Sequence, residues 1–138
     1  MDTSKQPGIR ITNILLAESI FRRQPTVAAD FNVHYSFGVK NNIYNDRKNL
    51  VTEMIVTLNT EADSVYGRFV FVGLFEIEGE GNLSLEQFAQ CNAPAIIFPY
   101  VREEIHSRST KAGLPQILLP PVNMTTAFGT EGQVKECT

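Results

Sequence analysis

The stretch 65–77, VYGRFVFVGLFEI, decides the fold because it alternates like a β-strand and is apolar on both sides in its middle. The residues that share one of its faces are Val65, Gly67, Phe69, Phe71, Gly73, Phe75 and Ile77. Those that share the other face are Tyr66, Arg68, Val70, Val72, Leu74 and Glu76. An antiparallel sheet in a small protein usually packs one face and leaves the other in water. The pattern predicts a strand whose second face is covered by a helix, another subunit, a bound polypeptide or local loops.

Three further strands precede this one, and we predict them at 9–21, 31–40 and 50–58. The first is long and irregular, and Pro25 ends it because proline cannot donate to a sheet ladder. The segment 41–49 is rich in turn-forming residues and predicts a polar connector. The segment 59–64 predicts a hairpin loop.

After the strands the apolar period becomes helical, from about Leu83 to Ala112. One helix is predicted at 85–92, Pro94 is expected to interrupt it, and a second helix is expected to begin near 95–99. The second carries a narrow apolar stripe of Ile97, Val101 and Ile105. Gly113 and Pro115 are predicted to stop it. The fold class is therefore α+β, a four-stranded antiparallel sheet followed by two helices, with no βαβ alternation.

A chain of 138 residues with 43% hydrophobic and 20% charged residues suits one globular domain, expected at 9–128 between tails at 1–8 and 129–138. The net charge of −3 argues against a nucleic-acid binder. No apolar run is long enough to span or insert into a membrane, and the polar start lacks the apolar core of a secretory signal. We therefore expect a cytoplasmic location.

No residue pattern indicates an enzyme. Neither His34 nor His106 has a Cys, His or carboxylate at metal-ligand spacing in the sequence, and Glu103, Glu104 and His106 point in different directions around a helix. We therefore expect no catalytic residue, no metal and no cofactor. The two cysteines, Cys91 and Cys137, are expected to be reduced and without a role, because a disulfide would require the tail to fold back.

Three short motifs occur in order in the second half of the chain: FPYxRE at 98–103, GxP at 113–115 and PVN at 121–123. A hydrophobic pair ending at Phe128 follows. In these motifs the chain resembles the SecB protein-export chaperones, and the resemblance extends from about Ile9 to Phe128.

The resemblance implies a homotetramer, a dimer of dimers whose protomers each supply four strands and two helices. It also implies that unfolded polypeptides bind in long apolar grooves without any nucleotide. These grooves are lined by the sheet, the crossover after the first strand and the last helix. The client-binding residues it suggests are Phe21, Phe31, Met124 and Phe128, for each of which core packing stays an alternative. Met124 and Phe128 match positions on the last helix of the family, which follows the PVN motif. The residues it suggests for oligomer and helix packing are Tyr100, Arg102 and Glu103.

The chain departs from the family on the sheet face through which many members bind the SecA motor. That face is acidic in the family, and Glu18 keeps one acidic position. Arg22 and Arg68 stand where the family has glutamates, and Tyr66 replaces a leucine. Reversed charges should weaken docking on a basic partner. The crossover is also short and the C-terminal tail barely acidic.

The function expected is therefore that of an ATP-independent holdase for unfolded or precursor proteins. It would act in protein export or for a specialised client such as an antitoxin, and SecA binding is doubtful. A different class stays open, an oligomeric α+β protein that binds a small apolar ligand. The apolar surplus of the sheet fits that class, but convergent polar groups that would orient a ligand are lacking.

Overall fold

The molecule is a sheet of four strands followed by a helical segment, and the structure is a computed structural model. The residues it describes are 8–44, 46–78, 85–115, 117 and 119. The strands are β1 Gly8–Arg23, β2 Val33–Tyr44, β3 Asn49–Thr60 and β4 Val65–Glu78. The two expected tails, apart from Gly8, lie outside the described residues, as does the predicted last helix with Met124 and Phe128.

The strands form one antiparallel sheet in the order β1-β4-β3-β2. Strand β4 lies inside the sheet, between β1 and β3. Strands β2, β3 and β4 are consecutive neighbours. The crossover, residues 24–32, carries the chain from β1 at one edge to β2 at the other.

Strand β2 continues to Tyr44 and β3 begins at Asn49, so the prediction of a polar connector over 41–49 is wrong. Polar residues remain in the strand because their polar side-chain groups have hydrogen-bond partners there. The hydroxyl of the buried Thr52 donates to Oδ1 of Asn41 over 2.7 Å, and Ile43 lies opposite Leu50.

The helical segment consists of α1 Leu85–Gln87, a π-helical turn Phe88–Asn92 and α2 Ala93–Lys111. These three pieces follow one another without a break, so the prediction that Pro94 interrupts the helix is wrong. Pro94 falls in the first turn of α2, directly after the π-helical turn, and its missing N–H is tolerated where the hydrogen-bonding pattern changes.

The helix covers one side of the sheet, which we call the inner face, and the core lies between them. Ile97, Val101 and Ile105 are fully buried, which confirms the predicted stripe. They pack with Phe69 and Phe75 of β4 and with the apolar residues of β3. The rings of Phe75 and Phe88 meet edge to face at 5.4 Å.

Gly73 lets the helix approach the sheet closely. A Cβ at this position would lie 2.8 Å from Cδ1 of Ile97 and 2.9 Å from the ring of Phe75. Nonbonded carbon atoms in proteins do not approach so closely. The missing side chain of Gly73 therefore leaves room on β4 for Ile97 of the helix.

The helix ends where the sequence predicts. Gly113 has a φ of 70°, its N–H donates to Thr110 O over 3.0 Å, and the N–H of Leu114 donates to Ser109 O over 3.1 Å. These two bonds form a Schellman motif, which needs a residue that tolerates the left-handed conformation.

Cys91 is buried in the π-helical turn. Cys137 lies outside the described residues.

Candidate functional site

The four residues predicted for partner docking lie together on the outer face, the side of the sheet opposite the helix. Nε of Arg68 donates to Oε1 of Glu18 over 2.5 Å between β4 and β1. The guanidinium carbon of Arg22 lies 4.7 Å from the centroid of the Tyr66 ring, its neighbour across the same pair of strands. The sequence does not predict that these residues pair with one another.

This pairing changes the electrostatics of the outer face. The carboxylate of Glu18 is compensated by Arg68, and Glu76 likewise forms an ion pair with Arg10. Across β2 and β3, Lys40 stands opposite Glu53. The outer face is therefore close to charge balance and offers no acidic patch at β1 and β4.

An apolar band crosses the outer face between these charges. Its members are Leu15, Val51, Ile55, Val70, Val72 and Leu74, placed by the registers of β1, β3 and β4. Val70 is buried by its neighbours, whereas Leu15 is 43% exposed. Helix α2 packs on the inner face and so does not cover this band.

Strand β1 exposes large apolar side chains on both faces of the sheet edge. They are Ile11, Leu15, Leu16 and Ile20, each at least 36% exposed. Two bulges, between Ile11 and Asn13 and between Leu16 and Glu18, shift the register and change which face the following side chains take. None of the four was among the predicted site residues. The sequence feature that could have identified them is an apolar pattern that matches neither of the two faces of a regular edge strand.

The residues predicted for oligomer and helix packing lie on the surface of α2. Tyr100 is 49% exposed, and its ring centroid lies 6.5 Å from that of Phe71. Arg102 is exposed and lies over the ring of Phe98 at 5.8 Å. Glu103 is exposed as well. All three are available for a contact outside the core of one protomer.

Beside them, Glu104 fastens the helix to the edge strand. The hydroxyl of Ser19 donates to Oε2 of Glu104 over 2.6 Å, and Nε of Arg108 donates to the same oxygen over 3.0 Å. Burial alone would raise the pKa of Glu104. The hydrogen bonds from Ser19 and Arg108 and the charges of Arg108 and Lys111 outweigh burial, and the pKa lies below its ordinary value.

Of the four residues predicted for client binding, the structure describes two. Phe21 and Phe31 are half-buried and pack against the edge of the core at the two ends of the crossover. Phe21 stands opposite Gly67 on the inner face. Met124 and Phe128 lie outside the described residues.

The start of the crossover is held by Arg23, which is not among the predicted site residues. Its guanidinium donates to three carbonyl oxygens: Gln24 O at 2.9 Å, Pro25 O at 3.0 Å and Ala112 O at 2.7 Å. The backbone N–H of Gln24 also donates to Ser64 O over 2.8 Å. Arg23 has this role because it contacts the end of α2, which lies 89 residues away in the sequence.

A cavity of about 310 Å³ adjoins this anchor. It is lined by Arg22, Arg23, Gln24, Asp63 and Tyr66. Such a polar lining does not suit the small apolar ligand of the alternative interpretation.

Two further features concern the parts of the chain that the structure describes. There, no three His, Cys, Asp or Glu side chains lie together as a metal site would require. No helix in the same segments is long and apolar enough to cross a membrane.

Comparison with known proteins agrees with the motifs at 98–123. The family model described as preprotein translocase subunit SecB matches residues 12–135. An uncharacterized protein of Methanocaldococcus jannaschii is 32% identical over 96 residues, which cover 67% of this chain and 62% of the relative. The protein-export protein SecB of Saccharophagus degradans is 30% identical over 107 residues, covering 76% of this chain and 61% of the relative. The chain thus spans about three fifths of the length of these two relatives.

Among solved structures, the SecB-like chaperone of Mycobacterium tuberculosis in complex with a ChAD peptide from the HigA1 antitoxin has a TM-score of 0.69. It is 20% identical, and the match covers 83% of this chain and 91% of that chain. At this identity the likeness concerns the fold, a four-stranded antiparallel sheet followed by a helix. Together with the family model, which matches most of the chain, these findings show that the protein belongs to the SecB family.

Proposed function

We propose that the protein is an ATP-independent holdase, acting in the cytoplasm, that binds unfolded or precursor polypeptides in apolar grooves. The observation that carries this proposal is the match to the SecB family over residues 12–135. An extended client offers apolar side chains and backbone groups that a broad apolar groove accepts without sequence specificity, and no nucleotide is needed.

The assembly we propose is a homotetramer, a dimer of dimers. The exposed apolar side chains of β1 support it, because a long edge strand with such side chains favours pairing with another chain. The exposed surface of α2 around Tyr100, Arg102 and Glu103 supports it as well, since it is free for a contact between protomers.

The groove we propose runs beside the crossover, with Phe21 and Phe31 at its described end and Met124 and Phe128 on the last helix. Both described aromatic rings combine contact with the core and partial exposure. Rings in this position can accept apolar client side chains at little ordering cost, because their own packing already holds them.

For the client we propose either export precursors or a narrow set such as antitoxins. The complex of the Mycobacterium tuberculosis chaperone with an antitoxin peptide supports the second option by its similar fold. The ion pair of Arg68 with Glu18 supports weak or absent binding to SecA, since the outer face has lost its acidic character at this place.

The test is suppression of aggregation. A chemically denatured client protein is diluted into buffer with and without the purified chain, and turbidity is followed in the absence of nucleotide. We expect aggregation to be suppressed at stoichiometric amounts and ATP to have no effect. Unchanged turbidity at a several-fold excess of the chain would overturn the proposal.

A further inference from the structure

We infer that Arg23 is a positioning residue of the proposed client groove, because it holds the crossover and the exit from helix α2 at a single point. The hydrogen bonds of Arg23 are the evidence for this role. Its effect on client binding rests on the proposed holdase function. Nothing in the motifs of the chain indicates this role.

The geometry is a three-way clamp by one side chain. Two guanidinium bonds, to Gln24 O and Pro25 O, fix the first two residues of the crossover. The third reaches Ala112 O, the C-cap carbonyl of α2, over 2.7 Å. A planar guanidinium can serve several acceptors at once, which a lysine ammonium cannot do in the same arrangement.

The helix end is a suitable acceptor for this cation. The last carbonyls of a helix lack intrahelical partners and carry a partial negative charge. The Schellman bonds use the carbonyls of Ser109 and Thr110 and leave that of Ala112 to Arg23. The bond therefore satisfies an acceptor that α2 itself leaves open.

The crossover is the described wall of the proposed groove, and it starts at Gln24. The bond from Arg23 to Ala112 O holds this start against the end of α2. The position of the described wall relative to the helix is therefore set at this point. Further along, the crossover is held by Val27 and Phe31, which pack against the edge of the core.

The clamp positions these segments more than it stabilises the fold. Arg23 is exposed and its bonds form at the surface, where loss of a side chain usually changes global stability little. Local opening of loops, in contrast, is governed by such surface contacts. Removal of Arg23 should therefore free the crossover and the helix exit while the sheet stays intact.

The experiment compares Arg23→Met with Arg47→Met in the full chain. The control removes the same charge from an exposed arginine in the turn between β2 and β3, whose ion pair is with Glu86 of α1 and not with the crossover or the end of α2. Hydrogen exchange is measured by mass spectrometry for fragments covering 24–32 and 112–115. Affinity is measured by fluorescence anisotropy with labelled, reduced and carboxymethylated α-lactalbumin as a permanently unfolded client.

We expect Arg23→Met to exchange faster in both fragments, with β3 and β4 unchanged, and to bind the client about three- to tenfold more weakly. Arg47→Met should resemble the unsubstituted chain, and Arg23→Lys should fall between, which keeps the test valid should Arg23→Met not fold. Equal exchange in all variants would overturn the clamp. Uniformly faster exchange through the sheet would show a merely structural role and would also overturn it.

The two proposals fail in different ways. If the unsubstituted chain does not bind the unfolded client, the holdase function fails, and with it the groove to which Arg23 contributes. If it binds and Arg23→Met binds equally well, the inference about Arg23 fails and the function stands.

Discussion

Arg68 on β4 donates to Glu18 on β1 across the outer face, so the carboxylate of Glu18, which we propose as part of a docking surface, is neutralised within the same protomer. We predict weak or absent binding to SecA and stronger binding for Arg68→Glu, which restores an acid and releases Glu18. Isothermal titration calorimetry at low salt measures both. Arg47→Glu, the same charge change in the exposed turn between β2 and β3, is the control and should bind no better. Tight binding that Arg68→Glu fails to improve would contradict the prediction.

Gly73→Ala should destabilise the protein by about 1–3 kcal/mol, because the added Cβ would collide with Ile97 and Phe75. Chemical unfolding in urea at fixed protein concentration measures the change. Gly38→Ala is a matched control in β2, where the nearest atom to the added Cβ is Cβ of Ile55 at 4.0 Å. Removal of Cδ1 in the double variant Gly73→Ala, Ile97→Val should recover part of the loss. Equal midpoints for the two alanine variants would refute close docking of α2 at Gly73.

Ser19→Ala should lower the free energy of unfolding at pH 7 by about 1 kcal/mol, because it removes a hydrogen bond to the charged Glu104. The pKa of Glu104 is lowered in the folded state, so its carboxylate adds stability above the ordinary pKa of 4.5 and loses that contribution as the pH falls through the folded value. The difference in the free energy of unfolding between Ser19→Ala and the unsubstituted chain should therefore decrease from pH 7 to pH 3. Urea unfolding across this range measures it, with the exposed Ser36→Ala as control. A gap that stays constant or widens on acidification would contradict the assignment.

Leu16→Glu should break the assembly, because it places a charge in the apolar surface of β1 that we propose to pair with another protomer. Multi-angle light scattering should show a lower mass at micromolar concentration, and circular dichroism should show that the sheet is kept. Tyr44→Glu is the control, since Tyr44 is equally exposed but lies on β2, at the opposite edge. An unchanged mass for Leu16→Glu would remove β1 from the interface.

The sequence predicts this fold well where one period governs a segment. The two-residue period of 65–77 predicts strand β4, and the spacing of Ile97, Val101 and Ile105 gives the buried stripe of α2. Gly113 marks the helix end because few other residues tolerate a φ of 70° there.

Tertiary contacts account for what the sequence does not predict. Asn41 stays in β2 because Thr52 bonds to it, and a π-helical turn before Pro94 lets the helix continue. The bulges of β1 disturb the alternation from which its exposed side chains could be predicted. The ion pair of Glu18 with Arg68 joins residues 50 positions apart, and the clamp of Arg23 depends on where α2 ends. Neither has a signal in a local pattern.

The mass of a complex with an unfolded client tests the central claim most directly. The chain is mixed with labelled, reduced and carboxymethylated α-lactalbumin without nucleotide, separated by size and measured by multi-angle light scattering. The holdase account predicts co-elution at the mass of four chains of 15.4 kDa plus bound client. A stable monomer of 15.4 kDa that elutes apart from the client would contradict it.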